Sequence, residues 1–426
     1  MLLLATFILA LMAAVNYQIG TKRILYPPVV FCLVWAIDLS LIAASGDFFY
    51  PVSPKTLSIL ASGCLCFSVG SYIALALNVR KRDERFDPPA SNKIANWLVV
   101  LMLCSVPLVY RWVSSIAQAF SGPNFFMSAY MAVNAAYEEG DQSIVMGNLI
   151  TFAPTIGLIC FYERDKHKKR ALFALILALG ITAMTGGRAA MVTIVLGVIA
   201  LDWIRTYKFN LKLIVPAMGI LFIGVCALAI LVHKGDATEE APISENVKPV
   251  LQGLITYAAG GIPAFSQVVE QPSIIPHNWQ IYYPAARFLN HFGARFDVPS
   301  AHAEFVTIGP ENLQTNIYTL YFAYIDFGWA IAMLFLGLIG FIVARVYMCA
   351  LAGGNIAAIL YSYLFASMIL SPFADFFFMG VNYIFKLLII AWIVYALPRR
   401  WAQFKDLCVN SIQKGLREKS NERGVA

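Results

Sequence analysis

The residue of this sequence best placed for chemistry is Arg188, which follows Thr185-Gly186-Gly187 between two long apolar segments. Two glycines give a tight turn its backbone freedom. An arginine that opens the next helix adds a fixed charge to the positive end of the helix dipole. The arrangement predicts a site for a phosphate or a diphosphate. The alternative is that Arg188 only caps a hairpin and extends its charge to a membrane interface.

Two further arginines, Arg287 and Arg295, are eight residues apart. On a helix this spacing is roughly 2.2 turns, so both side chains would lie on one face. Guanidinium groups bind phosphate oxygens through two parallel hydrogen bonds. A solvated helix face would give the same pattern. Near them are four candidates for a general base at neutral pH: His291, Asp297, His302 and Glu304.

The elements that position these residues are membrane helices. Of the 426 residues, 60% are hydrophobic and 13% are charged, and the mean hydropathy is +0.70. An average soluble domain is roughly a quarter charged. Long uninterrupted apolar runs predict a polytopic, all-α membrane protein and exclude a cytosolic enzyme, a secreted domain or a disordered chain. We expect eleven spans, near 2–15, 24–44, 57–77, 94–113, 144–162, 171–184, 189–204, 213–232, 317–344, 356–370 and 381–397.

The net charge of +7 does not indicate a nucleic-acid partner, because the basic residues concentrate in alternate loops. Examples are 80–93, 164–170 and the tail 398–426. The positive-inside rule then places the N-terminus outside and the C-terminus in the cytoplasm. The first apolar run is followed rather than preceded by basic residues, so we expect a retained span and not a cleaved signal. The chain is expected to form a single membrane domain.

Two predicted outer segments are long, a shorter loop at 117–143 and a large loop at 234–315. Loops of such length are usually functional or disordered. The many aromatic residues of the larger loop argue against disorder. We therefore expect the larger loop to be partly helical and any chemistry to take place on the outer face.

Several ionisable residues lie in or beside the spans, where a charge costs roughly 2.5 to 3.5 kcal/mol on insertion scales. Asp38, Asp375 and Lys386 could line a polar cavity open to the outside, or Asp375 and Lys386 could form a structural ion pair. The segment 317–344 is too long for one crossing, so its start should stand at the outer interface. That puts several polar and aromatic residues at headgroup height: Asn316, Tyr318, Tyr321, Tyr324 and Asp326. Of these, Asn316 and Tyr318 could also line the polar cavity. An aromatic belt would explain the tyrosines, but not Asp326 in the run Asp326-Phe327-Gly328.

No cofactor or metal ion is expected. The sequence has no Walker loop, no dinucleotide fingerprint, no HExxH and no DxD pair. The eight cysteines form no CxxC pair, so neither a disulfide framework nor a zinc or iron–sulfur site is indicated.

These features together resemble the bacterial O-antigen polymerase family, the oligosaccharide repeat-unit polymerases. The resemblance rests on the layout of about eleven spans, the Gly-Gly-Arg hairpin, the large outer loop and the stretch Tyr257-Ala258-Ala259-Gly260-Gly261. The most specific local match is Asn316-Ile317-Tyr318-Thr319, followed by Asp326-Phe327-Gly328.

The resemblance implies a glycosyltransferase of the polytopic C-type fold (GT-C). Its substrates would be oligosaccharides linked to undecaprenyl diphosphate, a lipid carrier that is embedded in the membrane lipid. A chain-length regulator of the polysaccharide co-polymerase type would be a protein partner. Arg188, Arg287 and Arg295 would bind the diphosphate without a metal. Glu304 or His302, and after them Asp326, would act as the base. Trp279, Tyr282 and Tyr283 would stack on sugars.

Two other functions fit parts of the pattern. An O-antigen ligase resembles the polymerases in layout but transfers the glycan to a lipid A core. A transporter or flippase for lipid-linked oligosaccharides is the alternative from another class. Transporters commonly contain internal repeats and helices broken near the midplane, and the sequence shows neither.

Overall fold

The computed structural model describes residues 1–20, 22–77, 91–120, 124–138, 144–185, 188–231, 252–272, 280–296, 304–310 and 312–398. These residues are mostly helical. The helices are α1 (Leu2–Ile19), α2 (Pro27–Ala44), α3 (Pro54–Ala76), α4 (Asn92–Ala117), α5 (Phe125–Glu138), α6 (Ile144–Tyr162), α7 (Lys168–Met184), α8 (Arg188–Thr206), α9 (Leu211–Leu231), α10 (252–259), α11 (Gly261–Glu270), α12 (Tyr283–His291), α13 (Trp329–Leu351), α14 (Asn355–Ile369) and α15 (381–398).

Six of the described helices are long and apolar enough to cross a membrane: α1, α2, α3, α4, α8 and α13. The prediction of a helical membrane protein is confirmed at this level. Each of the eleven predicted segments overlaps a helix, but several of these are shorter than the roughly 20 residues that span a bilayer without help. The number of crossings stays a prediction.

The helices α3 and α13 pack closely against each other through glycines. A side chain at Gly70 would collide with the backbone carbonyl of Gly337, and one at Gly340 would collide with the carbonyl of Phe67. The hydroxyl of Ser71 donates to the carbonyl oxygen of Gly340 across the same interface, at 3.0 Å. In an apolar solvent the hydrophobic effect does not hold helices together, so close backbone contact supplies the association energy.

The described parts of the large loop form an ordered cap over one end of these helices. Its helix α11 is buried, and a side chain at Gly261 would collide with the carbonyl of Pro372. The strands β1 (Val306–Gly309) and β2 (Leu313–Thr315) form an antiparallel hairpin, and the carbonyl of Ile308 accepts a hydrogen bond from the backbone N–H of Tyr50 at 2.7 Å. The expectation of a partly helical loop is therefore correct for these residues.

The predicted segment 317–344 is not one helix. A 3-10 helix covers Leu320–Phe327, and α13 begins only at Trp329, because Gly328 takes a φ of +77° that breaks the helical path. The tyrosines of this segment do not form an exposed belt. Tyr321 and Tyr324 are fully buried, and the Tyr321 hydroxyl donates to the carbonyl of Leu60 at 3.1 Å, over Gly63.

The shorter predicted loop, 117–143, contains the helix α5, with residues 121–123 and 139–143 outside the described chain. Of the predicted cytoplasmic tail, 398–426, the structure describes Pro398 alone.

Candidate functional site

Arg188 is the first residue of α8, as the sequence predicts. Its guanidinium carbon lies 5.6 Å from the ring centroid of Tyr257. The side chain is half-buried, and its Nη2 is fully covered without a hydrogen-bond partner among the described residues. The predicted turn glycines Gly186 and Gly187 lie outside those residues. The guanidinium group thus adds a full positive charge to the partial positive charge of the helix N-terminus at this end of the bundle.

The ring of Tyr257 links Arg188 to the turn 370–380, which joins α14 to α15. Tyr257 stacks on Phe373 of that turn, with ring centroids 5.7 Å apart and ring planes 21° apart. Tyr257 is therefore held between the cation and a second aromatic ring. Sequence reasoning names Tyr257 as part of a motif but misses this contact, because nothing local in the sequence pairs residue 257 with residue 188.

Asp375 is the acidic residue of the turn 370–380, and its hydrogen bonds are structural. Its carboxylate accepts bonds from the backbone N–H groups of Phe377, Phe378 and Met379, and from the hydroxyl of Tyr324 at 3.1 Å. Burial raises the pKa of Asp375, while these four donors favour its ionised form. The sequence offers an ion pair with Lys386 or a cavity wall for this residue; the observed contacts make it a brace of the turn.

The same brace brings the 3-10 helix Leu320–Phe327 to the turn 370–380. Besides the bond from Tyr324 to Asp375, the backbone N–H of Leu320 donates to the carbonyl of Ser371 at 2.9 Å. Asp326 lies on this 3-10 helix and is half-buried. A continuous set of contacts therefore connects the segment that carries Asp326 with the turn 370–380, with Tyr257 stacked on that turn and, through Tyr257, with Arg188.

One of the predicted sugar-stacking residues, Tyr282, contacts Phe327, the residue that follows Asp326 in the chain. The ring of Tyr282 is 5.9 Å from the ring of Phe327, and 48% of the Tyr282 side chain is exposed. Tyr283 is half-buried at the start of α12. Tyr282 is thus partly exposed and lies against the segment 326–327.

Glu304 and Tyr318 are neighbours through the backbone. The Tyr318 hydroxyl donates to the carbonyl oxygen of Glu304 at 2.8 Å, while the residue Glu304 is exposed. Burial, with a contribution from the nearby Glu304 carboxylate, raises the pKa of Tyr318, so its hydroxyl stays protonated and acts as a donor. Asn316, the first residue of the matched run, is half-buried after β2. Tyr318 therefore anchors the end of the cap.

The prediction that Arg287 and Arg295 share one helix face is wrong. The helix α12 ends at His291, and Gly293 follows with a φ of +91°. Arg295 lies beyond this break and is exposed, in a turn that Asn290 closes with two hydrogen bonds to the backbone of Phe296. Arg287 does lie on α12, but its side chain and that of His291 are outside the described structure. Trp279, Asp297 and His302 lie outside it as well.

Two predicted residues lie within the helices. Asp38 is 3% exposed in α2, and neither of its carboxylate oxygens has a hydrogen-bond partner within the described chain. It is one helical turn before Ile42, which lines a cleft of about 510 Å³ together with Tyr50 and Pro310. Lys386 is half-buried in α15.

Among the residues described, no group of three or more His, Cys, Asp and Glu side chains could hold a metal ion. The chain matches no protein-family model, no curated protein and no solved structure. The case for a function thus rests on the residues themselves.

Proposed function

We propose that this protein is a membrane glycosyltransferase that polymerises oligosaccharide repeat units carried on undecaprenyl diphosphate into O-antigen or a related surface polysaccharide. The observation that carries the proposal is Arg188. Its guanidinium group lies at a helix N-terminus, is oriented by the ring of Tyr257 and keeps one covered nitrogen without an acceptor among described residues. A diphosphate would supply that acceptor, with charge-assisted hydrogen bonds.

In the proposed reaction, a sugar hydroxyl of one lipid-linked unit attacks the anomeric carbon of a second lipid-linked glycan. The new glycosidic bond forms as the bond from the anomeric carbon to the diphosphate oxygen breaks. Negative charge then accumulates on the departing lipid diphosphate, and Arg188 would stabilise it. Loss of one such preorganised donor costs about 2.7 to 4 kcal/mol, or roughly 10² to 10³ in rate, in the best-studied case.

The hydroxyl proton goes to a carboxylate or a histidine. Asp326 becomes our first choice for this base, because its segment contacts the turn 370–380 and because the next residue, Phe327, contacts the ring of Tyr282. Glu304 and His302 remain alternatives, as do Arg287 and Arg295 for a second diphosphate contact. The proposal also includes eleven crossings, a C-type fold, a bacterial inner-membrane location with the N-terminus outside, and a chain-length regulator as a partner.

The test is the ladder of surface glycan on a gel from a deletion strain that expresses either the wild type or Arg188→Ala. Arg205→Ala is a matched control, because it removes the same residue type from the opposite end of α8. Membrane abundance of each variant is measured by immunoblot. We expect the Arg188 variant to give a core with a single repeat unit, and the Arg205 variant to give a full ladder.

Other outcomes identify the rival functions. Loss of every repeat from the core, with polymer accumulating on undecaprenyl diphosphate, would indicate a ligase. A normal ladder in the deletion strain itself would contradict both transferases. A full ladder with Arg188→Ala would remove Arg188 from the reaction. Purified protein with radiolabelled lipid-linked repeat units then tests polymerisation without the cell.

A further inference from the structure

A second arginine with unpartnered nitrogens lies at the opposite end of the bundle. Arg170 is on the first turn of α7, and its Nη1 donates to the side-chain oxygen of Asn96 at 3.0 Å and to that of Asn92 at 3.5 Å. These two bonds to α4 fix the guanidinium group in place. Its Nε and Nη2 are covered and have no hydrogen-bond partner among the residues described.

The two unpartnered nitrogens define the kind of ligand. Nε–H and Nη2–H form one edge of the planar guanidinium group and point in the same direction, so together they match two oxygens of one phosphate or carboxylate group. His167, the N-cap residue of α7, lies three residues before Arg170, and its Nε2 is also covered and without a partner in the described chain. The side chain of His167 makes no capping bond to the helix.

The charges of this turn do not neutralise Arg170. Asp165 pairs with Arg205, and Asp202 pairs with Arg164. Within 163–170 the one acidic residue outside those pairs is Glu163, against four cations: Lys166, Lys168, Lys169 and Arg170. The free backbone N–H groups of the first turn of α7 add positive potential. The local field therefore favours an anion.

Next to this charged turn, the outer surface of α4 and α7 is apolar. Trp97 is 73% exposed and Leu172 is 62% exposed, one residue after Asn96 and two after Arg170. A ligand that satisfies both features has a phosphate group and hydrocarbon chains.

We propose that Arg170 and His167 form a binding site for the headgroup phosphate of an anionic phospholipid, whose acyl chains lie along α4 and α7. Basic sites between membrane helices are known to hold such headgroups. The site is separate from Arg188 and does not depend on the proposed glycosyl transfer. It would fix the α6–α7 connection at the membrane surface.

The experiment measures binding of phosphatidylglycerol to the purified full-length protein in detergent by native mass spectrometry. Arg170→Gln removes the fork, Arg170→Lys keeps the charge without it, and His167→Gln leaves the bonds to α4 intact. Lys168→Gln is the matched control, because it removes one exposed positive charge from the same turn. Circular dichroism and thermal unfolding check that each variant is folded.

We expect Arg170→Gln to weaken binding about ten-fold or more, since a hydrogen bond to a charged group contributes roughly 1.5 to 3 kcal/mol. Arg170→Lys and His167→Gln should each weaken it by several-fold, and Lys168→Gln by less than about two-fold. Equal losses for Arg170→Gln and Lys168→Gln would overturn the site, because they would show attraction to a general basic surface. Displacement of the lipid by millimolar inorganic phosphate would overturn the assignment to a lipid. If Arg170→Gln does not fold, unchanged binding in His167→Gln and Arg170→Lys would still refute the proposal.

Discussion

The two ends of α8 carry the same residue type in opposite electrostatic settings. At the C-terminal end Arg205 pairs with Asp165, and the neighbouring Arg164 pairs with Asp202 of α8 itself. At the N-terminal end Arg188 lies against an aromatic ring and keeps a covered nitrogen without an acceptor in the described chain. The protein supplies the anions at one end, whereas at the other the positive charge is available to a ligand.

The energies of the two ends explain why this difference matters. A partly buried cation loses hydration, and a carboxylate partner restores much of that loss. A cation over an aromatic ring recovers about 0.5 to 2 kcal/mol, without satisfying the N–H groups. Among the described residues, Arg188 therefore lies against a ring but has no carboxylate partner, which agrees with the proposed diphosphate site.

Removing a carboxylate from the C-terminal end of α8 should have the largest effect on stability. Asp202→Ala leaves Arg164 without its partner in a site where the two side chains are 5% and 20% exposed, respectively. We expect the free energy of unfolding to fall by about 3 to 5 kcal/mol, the usual cost of breaking a buried pair on one side. Thermal unfolding in detergent measures it.

The double variant Asp202→Ala with Arg164→Leu is the control for that experiment. It removes both charges, so part of the stability should return. Equal losses in the single and double variants would show that packing rather than charge holds this end together, and the contrast between the two ends of α8 would then lose its electrostatic basis.

Substitutions of Tyr257 test whether its ring positions Arg188 at the N-terminal end of α8. Tyr257→Leu removes the ring beneath Arg188, whereas Tyr257→Phe keeps it. We expect polymerisation to fall by roughly ten-fold with Leu, in line with a cation–π contribution of about 0.5 to 2 kcal/mol, and to change little with Phe. Initial rates with the purified protein measure the effect. A loss of equal size in both variants would assign the effect to the Tyr257 hydroxyl and not to the ring.

Features of the fold and the site that depend on neighbouring residues could be predicted from the sequence, whereas features that depend on distant residues could not. Apolar runs report the solvent of each segment, so the helices and the position of Arg188 at the start of α8 follow from local pattern. Helix breaks are harder to predict. Gly293 and Gly328 take positive φ values and interrupt the helical path, yet other glycines of this chain lie inside helices. The spacing of Arg287 and Arg295 does not show whether the glycine between them breaks the helix or continues it.

The long-range contacts of the site could not be predicted at all. Tyr257 meets Arg188, and Tyr324 meets Asp375, only because the cap folds onto the turn 370–380. A tyrosine in a long apolar segment equally fits an interfacial belt or a buried hydrogen bond. Tertiary packing decides between these, and it places the hydroxyl groups of Tyr321 and Tyr324 on acceptors inside the protein.

The smallest predicted effect concerns the other pair at the basic end. Arg205→Gln removes an ion pair in which the Asp165 side chain is 64% exposed, so water and salt screen most of the attraction. We expect a loss of less than about 1 kcal/mol in the free energy of unfolding, decreasing further in 0.5 M salt, with polymerisation unchanged. The same thermal unfolding measurement at two salt concentrations tests it. A loss as large as that of Asp202→Ala would mean that the bond from Arg205 to the carbonyl oxygen of Tyr162, and not the ion pair, holds α8 to the end of α6.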